Sequence, residues 1–415
     1  MKYKLGLPIL VVLLLLLAVA PAYSASTEEL ERKIDLLSDE VDDLKGMGMG
    51  AGTTDNNRVS IHGYGEMHFN HNPGAATTQI DNHRFVVGIH ALLADWVHLN
   101  AEIDFEHAAQ ELEFEFGHLD FLLTPGFNIR AGVMLAPTGL LNEFHEPNLF
   151  FSVERPLLQS RLIPTTWNAG GVGIYGSPMD GVIYRVYAMN SLQSISKDSA
   201  ANGSGSGGSG GSGDSFGSNG IRGGRAQVND RIADDFSVFA RLELTRLMRG
   251  LQVGFSLVDG DTTHNLIEEG GHMTLLEADI KYRWRWFDMN ASIVNTNVED
   301  SAAMNTFCAT SAGCSGGIAA NNFGYNVQVG VHLPQLLKIR TMHDIIPHFM
   351  FERVRTQDEM DGTAPDRSKN RNAVYTYGVT YRPIPEVALK ADHTHTMLGD
   401  NTSTDQFNLG IAYMY

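Results

Sequence analysis

From Arg58 to its last residue the chain alternates apolar and polar positions with a period of two. Val59, Ile61, Gly63, Gly65, Met67 and Phe69 oppose Ser60, His62, Tyr64, Glu66, His68 and Asn70. Val97, Leu99, Ala101, Ile103 and Phe105 oppose His98, Asn100, Glu102, Asp104 and Glu106. Leu276, Ala278, Ile280, Tyr282, Trp284 and Trp286 oppose Glu277, Asp279, Lys281, Arg283 and Arg285, and residues 323–333 and 373–381 repeat the pattern. Successive side chains of a strand point to opposite faces, so each set occupies one face. A soluble sandwich also alternates. Here the strands reach ten residues or more, beyond the usual five or six, and one face carries charge after charge while the other carries none. That division suits a wall with lipid outside and water inside, where a basic residue on the lipid face costs about 2–4 kcal/mol at the midplane. At the end of the chain, Phe407, Leu409, Ile411, Tyr413 and Tyr415 share one face and Asn408, Gly410, Ala412 and Met414 the other. An outward aromatic as the last residue is the ending expected of the closing strand of an outer-membrane β-barrel.

The connections support the same architecture. Long ones are expected near 71–81, 107–110, 136–169, 190–224, 259–271, 298–320, 356–370 and 397–404. Short ones are expected at Asp95-Trp96, Pro125-Gly126, 177–181, 247–250, Phe287-Asp288, 334–341 and 383–385. The segment 107–110 is brief for a loop, and 334–341 is long for a turn. Eight loops and seven turns predict an all-β, antiparallel transmembrane barrel of sixteen strands with both ends on one side, an even count as single-chain bacterial barrels require. A dip at Ala233-Asp234-Asp235 leaves room for one more hairpin and eighteen strands.

The front of the chain reads differently. Residues 1–24 have the charged start, apolar run and small-residue end of a signal peptide, so export is expected. Residues 25–45 read as a short periplasmic helix. Ser26 and Glu29 can form a capping box, and Leu30, Ile34, Leu37, Val41 and Leu44 form a coiled-coil seam. Residues 46–57 read as a flexible linker, and the barrel proper as 58–415.

Composition narrows the function. A net charge of −18 over 415 residues excludes nucleic acid as a partner, because phosphate binding needs a basic surface. The two cysteines, Cys308 and Cys314, lie six apart in a segment rich in Gly, Ser and Ala, and an exported chain is expected to join them as a loop-tip disulfide. No haem-attachment motif or metal-ligand spacing of the C-x-x-C kind occurs, so no cofactor and no metal are expected. His62, His68, His90, His98 and His332 read as polar lining, and no catalytic residues are assigned.

Sixteen strands enclose a water-wide lumen unless a loop plugs it. Residues 137–170 are the expected constriction loop. Glu143, His145, Glu146, Glu154, Arg155 and Arg161 stand there among Leu140, Leu141, Phe150, Phe151, Leu157 and Leu158. A loop this apolar gains by folding into the barrel and presenting its charged residues to the lumen. The wall contributes an acidic set, Glu66, Glu102, Asp104, Glu106, Glu111, Glu113 and Glu115, and a basic set, Arg84, Arg130, Arg241, Lys281, Arg283 and Arg285. Acidic rings favour cations and basic rings anions. The two sets either act across the pore or neutralise each other, which leaves selectivity open with a lean toward cations.

The stretch Ala131-Gly-Val-Met-Leu-Ala-Pro-Thr-Gly-Leu, followed by Ser152-Val-Glu-Arg155 and Gly170-Gly-Val-Gly-Ile-Tyr-Gly176, resembles the third-loop region of the phosphate-selective porin O and P family. The resemblance implies a sixteen-stranded, trimeric channel with an infolded third loop, in the outer membrane of a Gram-negative bacterium. It does not carry phosphate selectivity with it, because the acidic wall departs from the arginine- and lysine-rich lining of that family. The expected function is therefore passive passage of small hydrophilic solutes or ions through a lipid-embedded barrel. A barrel hydrolase is not expected, because such barrels are usually smaller. A scaffold barrel sheathing a cytochrome is the alternative, and an anion- or phosphate-selective channel is the other.

Overall fold

The structure is a computed structural model that describes residues 58–75, 77–197, 215–225, 228, 232–311, 313–314, 316–366 and 370–415. The expected signal peptide, helix and linker lie outside the described residues. Sixteen antiparallel strands follow in order: β1 (Val59–Asn72), β2 (Thr77–Ala94), β3 (Val97–Glu106), β4 (Glu111–Thr124), β5 (Phe127–Leu135), β6 (Asn168–Met179), β7 (Val182–Asn190) and β8 (Phe236–Leu244). The second half comprises β9 (Leu251–Gly260), β10 (Met273–Trp284), β11 (Phe287–Val298), β12 (Asn321–Val331), β13 (Asp344–Glu359), β14 (Arg371–Ile384), β15 (Val387–Met397) and β16 (Ser403–Met414). Each strand pairs with its sequence neighbours, and β1 pairs with β16 to close the ring. Sixteen strands are therefore present, and the eighteen-strand option falls.

The closure shows why small and aromatic residues alternate at the two ends. Gly63 and Tyr415 exchange two backbone hydrogen bonds of 3.0 and 2.9 Å. A Cβ on Gly63 would lie 2.7 Å from the Tyr415 hydroxyl, and one on Gly65 2.6 Å from that of Tyr413. The tyrosine rings thus cover the glycines of the facing strand, a pairing that strengthens a glycine-weakened strand. Outward positions of β16, Phe407, Leu409 and Ile411, are exposed, while the inward Asn408, Gly410 and Ala412 are buried.

Boundaries differ from expectation in four places. Asn168, Ala169 and Gly170 pair with Leu135, Met134 and Val133, so the third loop is 136–167 and not 137–170. The first connection shrinks to 73–76 because β1 and β2 run long. The fourth loop extends to 235 because Ile221 packs inside the barrel, 1% exposed, instead of starting a strand. The long turn 332–343 holds a short helix, α3 (Leu333–Leu336).

The described interior holds one large apolar cluster. At the long-loop end the inward residues Met134, Tyr187, Met189, Phe239, Val258, Met273, Leu275 and Val294 are apolar and fully buried. They cluster with loop residues: Leu158 and Leu162 in and after helix α1 (Leu158–Arg161), Ile163 and Trp167 after it, Leu192, Ile195, Phe216 and Ile221 from the fourth loop, and Met304 of helix α2 (Ser301–Cys308). Fully burying one such side chain is worth about 1.5–3 kcal/mol, which draws these loops inward. Cys308 and Cys314 are joined as a disulfide at the end of α2.

Candidate functional site

The third loop crosses the lumen and is tied to the opposite wall. Leu157 and Leu158 donate their backbone N–H groups to the Glu352 carboxylate on β13, both at 2.9 Å. Val153 donates its N–H to Asp392 on β15 at 2.6 Å. Thr380 on β14 donates to the Phe151 carbonyl at 2.7 Å. Lys390 on β15, buried, donates to the carbonyls of Pro147 and Ser152 and lies over the Phe150 ring. Backbone groups of a buried loop need partners, and here wall side chains supply them. None of Glu352, Asp392 or Lys390 stood out in the sequence. The only signal was that each is a charged residue at an inward position.

Glycines seat the apolar side of the loop. A Cβ on Gly324 would lie 2.6 and 2.7 Å from the terminal carbons of Leu158 and Leu162, one on Gly330 2.5 Å from the Phe151 ring, and one on Gly410 3.1 Å from Val153. The inward glycines of β12 and β16 mark where the loop comes closest to the wall.

Between this loop and β1–β3 and β13–β16 lies a cavity of about 530 Å³. Its wall side carries Glu66, His68, His83, Arg84, Glu106 and Glu113, and its loop side Glu154, Arg155, Arg161, Arg222 and Arg225. The two sides are electrostatically unlike. Arg84 on β2 is ion-paired with four carboxylates: Glu66 (3.2 Å), Glu106 (3.3 Å), Glu115 (3.5 Å) and Asp104 (3.7 Å). His68 bridges Glu66 at 2.9 Å and Glu154 at 3.2 Å. Glu102 is buried, 3.9 Å from His62. Glu111 opens β4, and Glu113 forms no ion pair among the described residues.

The four loop arginines have no carboxylate within ion-pairing distance among the described residues. Arg155 donates to the Thr166 hydroxyl and the His145 carbonyl, both at 3.3 Å. Arg222 donates to the Thr165 hydroxyl at 2.7 Å, and Arg225 to the Thr165 carbonyl. Burial pushes the Arg222 guanidinium below its ordinary value, and the neighbouring Arg225, Arg155 and Arg161 push it further. An anion among them relieves that repulsion.

The remaining sequence candidates are dispersed. Glu143 pairs with Arg185 at 3.3 Å. His145 meets Glu115 at 3.0 Å and the Tyr64 hydroxyl at 2.7 Å. Burial pushes Glu146 up from its ordinary value. Arg130 forms a fork on Asp120, at 2.7 and 3.1 Å. Arg241 is held by Glu243 and Asp279 at 2.7 Å and by Glu277 at 3.4 Å. Lys281 and Arg283 keep the inward parity but are exposed at the short-turn end of β10. Arg285 leaves the wall altogether: it sits in the turn between β10 and β11 with φ 51°, its guanidinium over Trp284. The wall bases Arg84, Arg130 and Arg241 are thus neutralised by wall acids. Sequence reasoning missed Arg222 and Arg225, which follow a Gly/Ser tract and fall on no strand.

A closed sixteen-stranded antiparallel barrel with a loop folded into its lumen is the architecture of the Gram-negative outer-membrane porins. Among solved structures the chain is similar to the outer membrane channel DcaP of Acinetobacter baumannii, at 10% identity and a TM-score of 0.54 over 86% of this chain and 97% of that one. It is also similar to Salmonella typhi OmpF in complex with daunomycin (11%, TM-score 0.53, 86% and 97%) and to an anion-selective porin from Comamonas acidovorans (11%, TM-score 0.52, 86% and 99%). Identity this low establishes the porin fold and nothing finer. Among curated proteins the chain is 27% identical over 370 residues to an uncharacterized protein of Aquifex aeolicus (strain VF5), spanning 86% of this chain and 80% of that one. No family model matches the chain.

Proposed function

We propose that the protein is a porin of the outer membrane of a Gram-negative bacterium, a water-filled channel for passive diffusion of small hydrophilic solutes, narrowed by loop 136–167. The observation that carries this reading is the set of hydrogen bonds that Glu352 and Asp392 accept from the loop and that Thr380 and Lys390 donate to it, holding it against the wall beside a polar cavity. A plug would be expected to close the lumen, whereas the main apolar cluster draws on β5–β11 and β13 and a polar cavity remains beside the loop. The barrel sits in lipid, assembles as a trimer, and carries its N-terminal helix in the periplasm; the trimer rests on the resemblance to the phosphate-selective porin O and P family, the rest on the sequence pattern.

Selectivity follows from which charges are already satisfied. Wall acids outnumber wall bases, but Glu66, Asp104, Glu106 and Glu115 converge on Arg84, His68 and His145, while the loop arginines face the cavity without carboxylate partners among the described residues. The channel therefore favours small anions, an oxyanion such as phosphate included, contrary to the lean that the count of acidic residues suggests. Planar-bilayer recording of the refolded protein under a potassium chloride gradient tests both parts. Stepwise conductance with an anion-favouring reversal potential is expected. A cation-favouring potential would overturn the arginine reading alone. A folded barrel that conducts nothing would overturn the channel and promote the scaffold alternative.

A further inference from the structure

We propose that Asp81, His83 and His107, at the long-loop mouth of the lumen, form a site for a divalent transition cation of the zinc class. The three side chains come from two structural irregularities that the barrel itself does not need.

The first is a bulge in β2. Glu66 faces Arg84, yet His68 faces Asp81, so two residues of β2, Asn82 and His83, stand opposite Met67 alone. An extra residue re-aims the side chains beside it. Here it lets the sequence neighbours His83 and Arg84 both face the lumen cavity, while Asp81 comes in behind them. The second is the β3–β4 turn, in which His107, Ala108 and Ala109 are consecutively left-handed, at φ 50°, 57° and 67°. That conformation costs roughly 1–2 kcal/mol per residue for a side chain with a Cβ. The turn is bonded to the bulge: His107 N–H to the His83 carbonyl at 3.2 Å and Ala108 N–H to the Asn82 carbonyl at 3.1 Å. Bulge and turn are thus one unit, and it brings the three side chains together.

Their geometry is that of a chelate. Oδ2 of Asp81 lies 2.8 Å from Nδ1 of His107 and 3.2 Å from Nδ1 of His83, and all three ligand atoms lie within 4.8 Å of one another. A tetrahedral ion with metal–ligand bonds of about 2.0–2.1 Å separates its ligands by roughly 3.3 Å. Without the ion, each Nδ1–H donates to Asp81. With it, Nδ1 gives its lone pair to the metal and the proton moves to Nε2 of the same ring. For His107 that nitrogen is buried and has no hydrogen-bond partner among the described residues. Glu106 and Glu111 stand beside this ring, their carboxylates and a ring nitrogen again within 4.8 Å of one another. Carboxylates in that position orient a ligating imidazole and raise its basicity. Two imidazoles and one carboxylate suit zinc and its neighbours better than calcium or magnesium. A fourth position is left for water from the lumen.

Cobalt(II) tests the site without reference to conduction, because its visible absorption reports ligand number and is read on the detergent-solubilised barrel. One cobalt per chain is expected, with intense four-coordinate bands that zinc abolishes by displacement. His107→Gln and His83→Gln should each weaken binding at least roughly tenfold, and His145→Gln should leave it unchanged. Folding of each variant is checked independently by its heat-modifiable mobility on a gel. The proposal is overturned if the folded protein takes up no cobalt, or if His107→Gln and His83→Gln bind as tightly as the parent. It is equally overturned if His145→Gln abolishes binding, which would place the ion at the buried Glu102–Glu115–His145 group.

Discussion

The Glu352 carboxylate accepts the backbone N–H of Leu158 at 2.9 Å across 194 residues of sequence, and its other oxygen takes the N–H of Leu157 at the same distance. One wall side chain therefore fixes the start of α1 and, with it, Arg155 and Arg161 on either side. Replacing Glu352 by Ala strands two buried donors, each at a cost of about 1–3 kcal/mol. Single-channel recordings of Glu352→Ala should show larger conductance and more open-channel noise than the parent, with Glu352→Gln between them. Identical traces would mean that the loop is held by something else.

Gly330 and Gly410 make unequal demands. A side chain at Gly330 meets the Phe151 ring at 2.5 Å, whereas one at Gly410 meets only Val153, at 3.1 Å or more. Overpacking of this kind costs about 1–3 kcal/mol. Gly330→Leu should therefore push the loop into the lumen and lower conductance in a barrel that still forms, while Gly410→Ala should conduct normally. Equal conductance for the two would argue against close seating at Gly330.

The arginines divide into those that support the wall and those that face solute. Arg161→Gln combined with Arg222→Gln should shift the reversal potential toward cations and change stability less than Arg84→Gln does, because neither part-buried guanidinium is ion-paired among the described residues. Arg84→Gln leaves four carboxylates without their shared cation, and breaking a buried pair costs about 3–5 kcal/mol. It should lower the unfolding temperature sharply. The reverse ranking, with Arg84→Gln stable and the loop variants unfolded, would refute the division.

At the short-turn end His332 is buried between Asp288 (3.0 Å) and Asp344. Burial pushes its imidazole down, but the hydrogen bonds it donates to Asp288 and Asp344 outweigh it and raise the group above its ordinary value. A raised value means stability that is full below the unfolded value of about 6.5 and lost as pH rises through the folded one. The unfolding temperature should fall on going from pH 6 to alkaline pH, and His332→Gln should flatten that slope. A slope that survives the substitution would assign it to other groups.

The period-two pattern was enough to read the strand count, the inward and outward faces, and most loop positions, because side-chain direction in a strand is set by the residue's own backbone. Glu66, Asp104 and Glu115 share the parity expected of an inner face, and all three are buried. The same rule broke down where the backbone departs from it, at the β2 bulge that turns both His83 and Arg84 inward and at the turn that carries Arg285 out of the wall. The apolar content of the third loop is consistent with the burial of Leu158, Leu162, Ile163 and Trp167, and nothing in it pointed to the glycines they meet.

What local pattern could not decide is which charge meets which. Arg84 is neutralised because the register in which β1 to β4 pair brings Glu66, Asp104, Glu106 and Glu115, from three other strands, around one guanidinium. Arg155 and Arg161 have no carboxylate partners among the described residues because the third loop lands on Gly324, Gly330 and Gly410, far along the chain. Arg222 and Arg225 join them from a loop with no periodicity of its own. Periodicity along the chain determined the barrel and the orientation of its side chains. Charge balance at the constriction depends on contacts between distant segments, and only the tertiary structure decided it.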